Sequence, residues 1–205
     1  MYCNFIKRLI DIVFSIVFIF CFWWVYVILF ILIFYKIGRP VFFKQNRPGK
    51  DEKIFTMYKF RTMTNNKDSH GNLLPDNERI TKLGKILRNT SLDEIPEIWN
   101  VLKGNMSLVG PRPLLVEYLV KYNSKQKRRH EMKPGITGLA QIRGRNAITW
   151  EEKFNFDIEY VEKCSFLLDV YIIFQTIKKV LIREGINQNE TTTMEKFQGS
   201  EYKDE

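Results

Sequence analysis

The chain is poor in the residues that metal and disulfide chemistry requires. Among 205 residues it has three cysteines, Cys3, Cys21 and Cys164, and two histidines, His70 and His130. The cysteines are scattered without metal-ligand spacing, which argues against a zinc site or a disulfide scaffold and favours a reducing compartment. Two histidines give little support for chemistry that depends on a histidine base or on a histidine metal cluster. No P-loop motif is present either, so ordinary nucleotide triphosphate hydrolysis is disfavoured.

Charge is missing from one long segment near the N-terminus. From Ile12 to Tyr35 no residue is charged, and Ser15 is the one conventional polar side chain. As a continuous helix the segment would reach roughly 36 Å, more than the ~30 Å of a bilayer's hydrocarbon core. We therefore expect residues 1–35 to be a membrane anchor, which excludes a purely soluble protein. No later run is comparable, so a polytopic channel is excluded, and the segment is too long for a cleaved signal peptide.

Basic residues flank this segment on both sides. Lys7 and Arg8 precede it, and Lys36 and Arg39 follow it. Positive charge tends to stay on the cytoplasmic side, so a straight span would place one of the two pairs on the wrong side. A re-entrant helix that enters and returns would keep both pairs cytoplasmic. We expect the re-entrant course, and the straight span is the alternative.

The remaining chain predicts a helix-dominated α/β fold with a short β-hairpin. Alternating apolar residues in 41–45 and 53–60, separated by Asn-Arg-Pro-Gly-Lys-Asp turn chemistry, predict the hairpin. The catalytic domain is expected to cover residues 36–183, and the mostly polar residues 184–205 a loose C-terminal tail. Apolar spacing predicts helices at about 80–87, 95–102, 114–125, 150–164 and 168–182.

Two adjacent carboxylates, Asp93 and Glu94, carry the strongest chemical signal. In the motif Ser91-Leu92-Asp93-Glu94-Ile95-Pro96 one carboxylate can act as a nucleophile toward phosphorus while its neighbour holds a divalent cation. Ser91 and Glu94 also have capping-box spacing, so the motif is equally typical of a helix start. The two interpretations are compatible.

Cations in glycine- and proline-rich contexts favour phosphate binding. Lys59, Arg112 and Arg145 lie in three such clusters, and the formal net charge is +9. A guanidinium grips phosphate in a bidentate fashion, and a rigid backbone lowers the cost of ordering it. Each cation alone is more typical of a solvated surface charge. A membrane-anchored module that binds nucleic acid or acidic lipid is the alternative function, and it would make the carboxylate pair incidental.

A second basic stretch follows an apolar helix pattern. Residues 121–133 hold six Lys and Arg residues and one acid, after the apolar positions of 114–120. This arrangement favours an amphipathic helix in the lipid headgroup layer. A solvated charge run is the alternative.

Four ordered motifs make the chain resemble the bacterial sugar transferase family, the small monotopic phosphoglycosyl transferases. They are Ser91-Leu92-Asp93-Glu94, Asn100-Val101-Leu102-Lys103-Gly104, Gly110-Pro111-Arg112-Pro113 and Pro134-Gly135-Ile136-Thr137-Gly138. Within the family the chain most resembles members that begin N-linked glycan assembly. It departs at Trp23-Trp24, where the family usually has a Ser-Pro pair that breaks the membrane helix.

The resemblance implies a specific reaction. Such enzymes transfer a phosphosugar from a UDP-sugar to undecaprenyl phosphate and release UMP. By resemblance, Asp93 is the covalent nucleophile, Glu94 is a catalytic residue that also holds Mg²⁺, and Lys59, Arg112 and Arg145 bind substrate. The implied location is the bacterial inner membrane with the catalytic domain facing the cytoplasm, without nucleic acid as a partner. The implied sugar is N,N′-diacetylbacillosamine, and GlcNAc, GalNAc or a hexose are alternatives.

Overall fold

The structure is a computed structural model that describes residues 2–144, 148–182 and 196–199. Within these residues helices dominate, as the sequence predicts, and the strands are short. The helices are α1 (Lys7–Lys36), α2 (Asp76–Arg79), α3 (Lys82–Asn89), α4 (Glu97–Lys103), α5 (Ser124–Lys127), α6 (Leu139–Arg143), α7 (Trp150–Lys163) and α8 (Phe166–Ile182). The strands are β1 (Phe42–Pro48), β2 (Ile54–Phe60), β3 (Ser107–Val109) and β4 (Gly135–Thr137).

The predicted hairpin is confirmed, and it fixes which side chains share a face. β1 pairs antiparallel with β2, so that Phe43 lies opposite Lys59 and Arg47 lies opposite Phe55. Directly opposite residues project to the same face of a sheet, and so do residues two apart along a strand. Lys59 and Arg47 therefore belong to one face of the hairpin.

The apolar anchor is confirmed as a single helix that lies along the body of the protein. The buried residues of α1 are Lys7, Asp11, Ser15, Leu29 and Ile33. Within each end of the helix these residues are four positions apart, and Ser15 and Leu29 are separated by about four helical turns. All five therefore lie on one face of α1. Only 11% of the most apolar stretch is buried, and α1 is long and apolar enough to cross a membrane. One narrow stripe of the helix thus contacts the body, and the other faces are free for lipid.

Contact with the body continues between the two buried ends of α1. Phe18 and Ile19 pack against the core cluster that contains Val101 and Met106. Val25 and Tyr26 pack against the cluster that contains Phe60 and Leu87. The helix has no break at Trp23-Trp24, where the expected re-entrant hairpin would need a turn. Both ends of α1 reach the body because the helix lies lengthwise on it.

A parallel strand pair, which the sequence does not predict, joins two of the glycine-proline motifs. Ser107 pairs with Gly135 and Val109 with Thr137. A Cβ atom on Gly135 would lie 2.1 Å from the amide nitrogen of Gly110. Only glycine permits this approach of the two backbones, and the approach positions the loop that carries Arg112.

The continuous amphipathic helix predicted at 114–125 is not formed, and the contact of this stretch with the membrane surface stays a prediction. A 3-10 segment, Val116–Lys121, and the short α5 take its place. Val116 and Val120 of the predicted apolar face are exposed, whereas Leu114, Tyr118 and Tyr122 are buried in a third core cluster. Of the basic residues at its end, Arg129 is also buried. The i, i+4 spacing of these apolar residues reflects an internal contact.

α8 is, besides α1, a helix with an exposed apolar face. It begins at Phe166, and its exposed residues include Leu167, Val170 and Phe174. An exposed apolar stripe of this size beside α1 is typical of a membrane-associated surface. α8 thus has an exposed apolar face of the kind that the sequence analysis expected of residues 114–125.

The prediction of a loose tail does not hold for residues 196–199. Phe197 is buried among Tyr118, Tyr122, Trp150 and Phe154. Its amide nitrogen donates to the hydroxyl of Tyr118 (3.3 Å). This part of the chain is anchored by aromatic packing, while the rest of the predicted tail lies outside the described residues.

Candidate active site

The carboxylate pair lies on a tight turn and not at a capped helix start. Asp93 and Glu94 belong to a 3-10 turn, Leu92–Glu94, which follows Ser91 in a left-handed conformation with φ of 56°. The Ser91 side chain makes no capping hydrogen bond, so the capping-box interpretation is wrong. A non-glycine residue at positive φ is strained, and such strain is concentrated at functional sites.

Glu94 is held by two cations that the sequence analysis selected. One of its carboxylate oxygens, Oε1, accepts from Lys59 Nζ at 2.6 Å and from Arg112 Nη2 at 2.9 Å. Burial alone would raise the pKa of Glu94, but Arg112 and Lys59 outweigh it and lower the pKa to about 2. Glu94 is therefore ionised throughout the physiological pH range. Lys59 and Arg112, which are far apart in the sequence, meet at its Oε1 atom.

Asp93 differs from its neighbour because it has no such partner. Among the described residues, no cation lies within 4 Å of its carboxylate. Burial and the negative charge of Glu94 raise the pKa of Asp93 to about 6. Two adjacent carboxylates with pKa values pushed apart are typical of a catalytic pair in which each has a different role. Asp93 remains largely ionised at pH 7 and available as a nucleophile.

A third carboxylate, Glu97, completes the cluster, and the sequence analysis did not select it. Its carboxylate lies 3.1 Å from Lys59 Nζ, and the residue is 3% exposed. Burial raises the pKa of Glu97 to about 7, even though Lys59 opposes the shift. Glu97 follows Pro96 in the first turn of α4 and has the same spacing as an ordinary helix-start acid, so no signal in the sequence separates it from one.

The carboxylate pair opens into a cleft of about 1040 Å³. Ligand sites commonly measure roughly 300–1,000 Å³, so the cleft suits a large substrate. Its walls are both charged and apolar, and they include Asp93, Lys59, Phe42 and Phe60. The rings of Phe42 and Phe60 lie 6.0 and 5.0 Å from the ring of Tyr26 in α1. Two residues of the cleft wall therefore pack against α1.

Buried groups behind Arg112 fix its position. Arg129 Nη2 donates to the backbone oxygen of Arg112 at 2.7 Å, and the same nitrogen donates to Asp157 at 2.7 Å. Arg129 and Asp157 have 2% exposed side chains. Arg129 Nε and Nη2 both donate to Asp157 Oδ2, and this buried pair holds the Arg112 backbone while the Arg112 side chain reaches the cleft. Neither residue was predicted, because each has the sequence context of a surface charge.

Comparison with known proteins identifies the family. The family model for bacterial sugar transferases matches residues 2–183. The chain belongs to the bacterial sugar transferase family. The predicted resemblance is thereby confirmed, and the sugar transferase is an enzyme anchored by an apolar helix.

Individual relatives of the sugar transferase are named as enzymes that transfer sugars or sugar phosphates. It is 55% identical over 195 residues to an uncharacterized sugar transferase, EpsL, of Bacillus subtilis, covering 95% of this chain and 96% of the relative. It is 47% identical to the galactosyl transferase CpsE of Streptococcus agalactiae, over 73% of this chain and 36% of the relative. It is 38% identical to an undecaprenyl-phosphate galactose phosphotransferase of Salmonella typhimurium, over 89% of this chain and 42% of the relative. The sugar transferase thus spans less than half the length of the last two.

Two other cations of the basic clusters are not among the described contacts of the carboxylate pair. Arg61, in the Lys59-Phe60-Arg61 cluster, donates to the backbone oxygens of Arg39 and Met63 at 2.6 and 2.7 Å and has a structural role. Arg145 lies outside the described residues. Lys59 and Arg112 are thus the two predicted substrate-binding residues that the structure brings to the carboxylate pair.

The carboxylates of the sugar transferase fit a Mg²⁺ ion that the substrate phosphates also help to bind. Among residues 2–144, 148–182 and 196–199, no three His, Cys, Asp or Glu side chains converge as a complete metal cage. Mg²⁺ is usually bound through one or two carboxylates together with substrate phosphates and water. Glu94 Oε1 already accepts from two cations. Asp93 and the second oxygen of Glu94 remain as ligands for an ion that the substrate helps to hold.

Proposed function

We propose that this sugar transferase moves a phosphosugar from a UDP-sugar to undecaprenyl phosphate through a covalent intermediate on Asp93. The observation that supports it is the contrast within the pair. Asp93 faces the cleft without a cation partner, while Glu94 is fixed by Lys59 and Arg112. A nucleophile must be free to move toward phosphorus, and its neighbour must hold charge in place.

The reaction consists of two displacements at the same phosphorus. In the first, an Asp93 oxygen forms a bond to the β-phosphorus of the UDP-sugar, the bond from that phosphorus to the bridging oxygen breaks, and UMP leaves with the electron pair. In the second, a phosphate oxygen of undecaprenyl phosphate attacks the same phosphorus. The bond to Asp93 breaks, its carboxylate is regenerated, and undecaprenyl diphosphate sugar is released. No net proton is needed in either step.

Charge neutralisation is the main demand of this chemistry. Phosphoryl transfer relies on positioning and on cations around the phosphoryl oxygens more than on covalent groups of the protein. Lys59 and Arg112 supply two cations that contact Glu94, the residue next to Asp93. Mg²⁺ bound by Glu94, with Asp93 before reaction, would add further neutralisation of the diphosphate.

The position of the cleft beside α1 fits a lipid acceptor. Tyr26 of α1 packs against Phe42 and Phe60, which line the cleft. A polyprenyl phosphate can offer its head only at the bilayer surface, so the acceptor would enter beside the anchor. We propose that this surface is the cytoplasmic face of the bacterial inner membrane, where UDP-sugars are made.

For the sugar we propose N,N′-diacetylbacillosamine, from the motif resemblance, with the sugars of the named relatives as alternatives. The relatives are named for galactose, for glucose and for N-acetylgalactosamine. A panel of UDP-sugars with UMP release as the readout separates them. The sugar that gives the highest kcat/KM identifies the donor, and a flat profile would contradict a specific donor.

The decisive experiment is intact-mass spectrometry of the protein with UDP-sugar and no lipid acceptor. The wild type should gain the mass of one phosphosugar, mapped to Asp93. Asp93→Asn preserves shape but removes the nucleophile, so it should give neither adduct nor UMP. The control is Asp51→Asn, which removes an exposed acid on the β1–β2 turn and should leave both readouts intact. An adduct on another residue, or turnover by Asp93→Asn, would refute the mechanism.

A further inference from the structure

Arg47 is a cation of the cleft wall that the proposed chemistry has not used. It lies near the end of β1, is partly buried and lines the cleft together with Lys59 and Arg112. Its Nη2 donates to the side-chain oxygen of Gln45 at 2.6 Å, a neutral acceptor. Its Nε is buried and has no acceptor. Among the described residues, no carboxylate lies within 4 Å of this guanidinium.

The neighbouring cations have the partners that Arg47 lacks. Lys59 contacts Glu94 and Glu97, and Arg112 contacts Glu94. Arg61, which is also buried, is satisfied by two backbone oxygens. Burial of an ion without a partner is costly, and so is burial of a donor without an acceptor. Arg47 carries both costs in the ligand-free protein.

The nearby positive charge of Arg112 makes the charged form of Arg47 less favourable still. Burial first, and the positive charge of Arg112 second, lower the pKa of Arg47. An anion between or beside the two guanidinium groups would remove their repulsion and provide the missing acceptor. Guanidinium groups are well suited to phosphate oxygens, which they bind in parallel pairs of hydrogen bonds.

We propose that Arg47 is a phosphate-binding residue of the substrate cleft, acting with Arg112 on one phosphate group. This inference rests on the proposed function, which supplies two phosphate-bearing substrates. The phosphate can come from the nucleotide or from the polyprenyl acceptor, and both present the same oxygens. The hydrogen bond to Gln45 is neutral, so it leaves the guanidinium its full charge, and the side chain lines the cleft where a phosphate can meet it.

The test is Arg47→Gln in the full-length protein in nanodiscs, with Lys53→Gln as the matched control. Lys53 is exposed in the β1–β2 turn, is not part of the cleft lining, and loses the same charge. Binding of UMP, of a short-chain polyprenyl phosphate and of inorganic phosphate is measured by thermal shift and by calorimetry. Because a hydrogen bond to a charged group is strong, affinity for the phosphate that Arg47 holds should fall by about 10- to 100-fold.

The three probes identify the source of the phosphate. Weaker UMP binding with normal polyprenyl phosphate binding assigns Arg47 to the nucleotide, and the reverse assigns it to the acceptor. Weaker binding of all three assigns it to a phosphate position that both substrates occupy in turn. Unchanged binding of every probe by Arg47→Gln overturns the proposal.

Stability separates a binding role from a structural one. Removal of an unpartnered charge should not lower the melting temperature of the ligand-free protein, whereas loss of a structural contact would lower it. If Arg47→Gln does not fold, Arg47→Lys keeps the charge but not the paired donors and should still weaken phosphate binding. A lower melting temperature of ligand-free Arg47→Gln with normal probe affinity would refute the proposal. These binding readouts need no turnover, so a wild-type protein without an Asp93 adduct would refute the covalent mechanism alone.

Discussion

The ammonium of Lys7, in the first turn of α1, lies 2.5 Å from the carboxylate of Asp169 in α8. Both side chains are 7% exposed, and Asp169 also accepts from the hydroxyls of Tyr2 and Tyr160 at 2.6 Å each. The start of the anchor is thus bonded to the last helix of the body. Lys7 is therefore not a free flanking charge of the kind that the positive-inside rule counts.

The two ends of α1 are expected on the same side of the membrane. Lys7 contacts the body at one end, and Ile33 is fully buried against it at the other. A helix that crossed the bilayer would carry one end roughly 30 Å away from the body. A cysteine placed at Tyr2 in a variant without native cysteines should be protected from a membrane-impermeant thiol reagent in intact cells. It should become reactive in permeabilised cells under mildly denaturing conditions, and labelling in intact cells would mean a straight span.

Loss of the Lys7–Asp169 pair should destabilise the fold. Lys7→Met leaves a buried carboxylate without its cation, which typically costs about 3–5 kcal/mol. The double variant Lys7→Met/Asp169→Leu removes both charges and should recover much of the loss. Chemical denaturation in detergent micelles measures both. A single variant as stable as the wild type would show that the two tyrosine hydroxyls satisfy Asp169 without Lys7.

The sequence predicts the reacting groups better than it predicts their surroundings. Asp93, Glu94, Lys59 and Arg112 stand out because short motifs with special turn and proline chemistry carry them. Arg47 does not stand out, because its importance comes from a cleft that assembles β1 with distant loops. A single sequence contains local patterns, whereas the partner of a charge is set by the fold.

The incorrect prediction of a continuous helix at 114–125 has a related cause. Leu114, Tyr118 and Tyr122 have the four-residue spacing of an amphipathic helix, but that spacing does not say what covers the apolar side. Here the cover includes Phe197, which is 75 positions after Tyr122 and contacts both tyrosines. Secondary-structure periodicity predicted the hairpin and the longer helices, where local pattern and tertiary contact agree.

Weakening the support of Arg112 should reduce activity without removing a reacting group. Arg129→Lys keeps the positive charge beside Asp157 but loses the paired donors that also hold the Arg112 backbone oxygen. We expect about 10- to 100-fold slower UMP release, since small displacements of positioning groups are costly in catalysis, together with a lower melting temperature. Arg128→Lys is the control, because Arg128 contacts the half-exposed Glu131 and Glu162 at the surface. Equal activity of the two variants would contradict a positioning role for Arg129.

The pH dependence of adduct formation should report Asp93. Its pKa is raised to about 6 by burial and by Glu94, so the nucleophilic carboxylate is lost as the pH falls through about 6 and not near 4. The same shift means that the folded protein holds this proton more tightly than the unfolded chain. The contribution of Asp93 to stability is therefore present at low pH and is lost as the pH rises through about 6. Rapid-quench mass spectrometry from pH 5 to 8 measures the rate, and a midpoint near 4 would contradict the assignment.

Glu94→Gln should shift that midpoint as well as lower the rate. Glu94 is the second cause of the raised pKa of Asp93, and the substitution removes its charge. It also frees Lys59 and Arg112, which contact Glu94 Oε1, to attract the remaining carboxylate. Both changes favour ionised Asp93, so the acidic limb of adduct formation should move to lower pH while the maximal rate falls. The maximal rate falls because Glu94 no longer orders these cations around the phosphate. Single-turnover mass spectrometry of wild type and variant across the same pH range makes the comparison, and an unchanged or higher midpoint would show that Glu94 does not control the ionisation of Asp93.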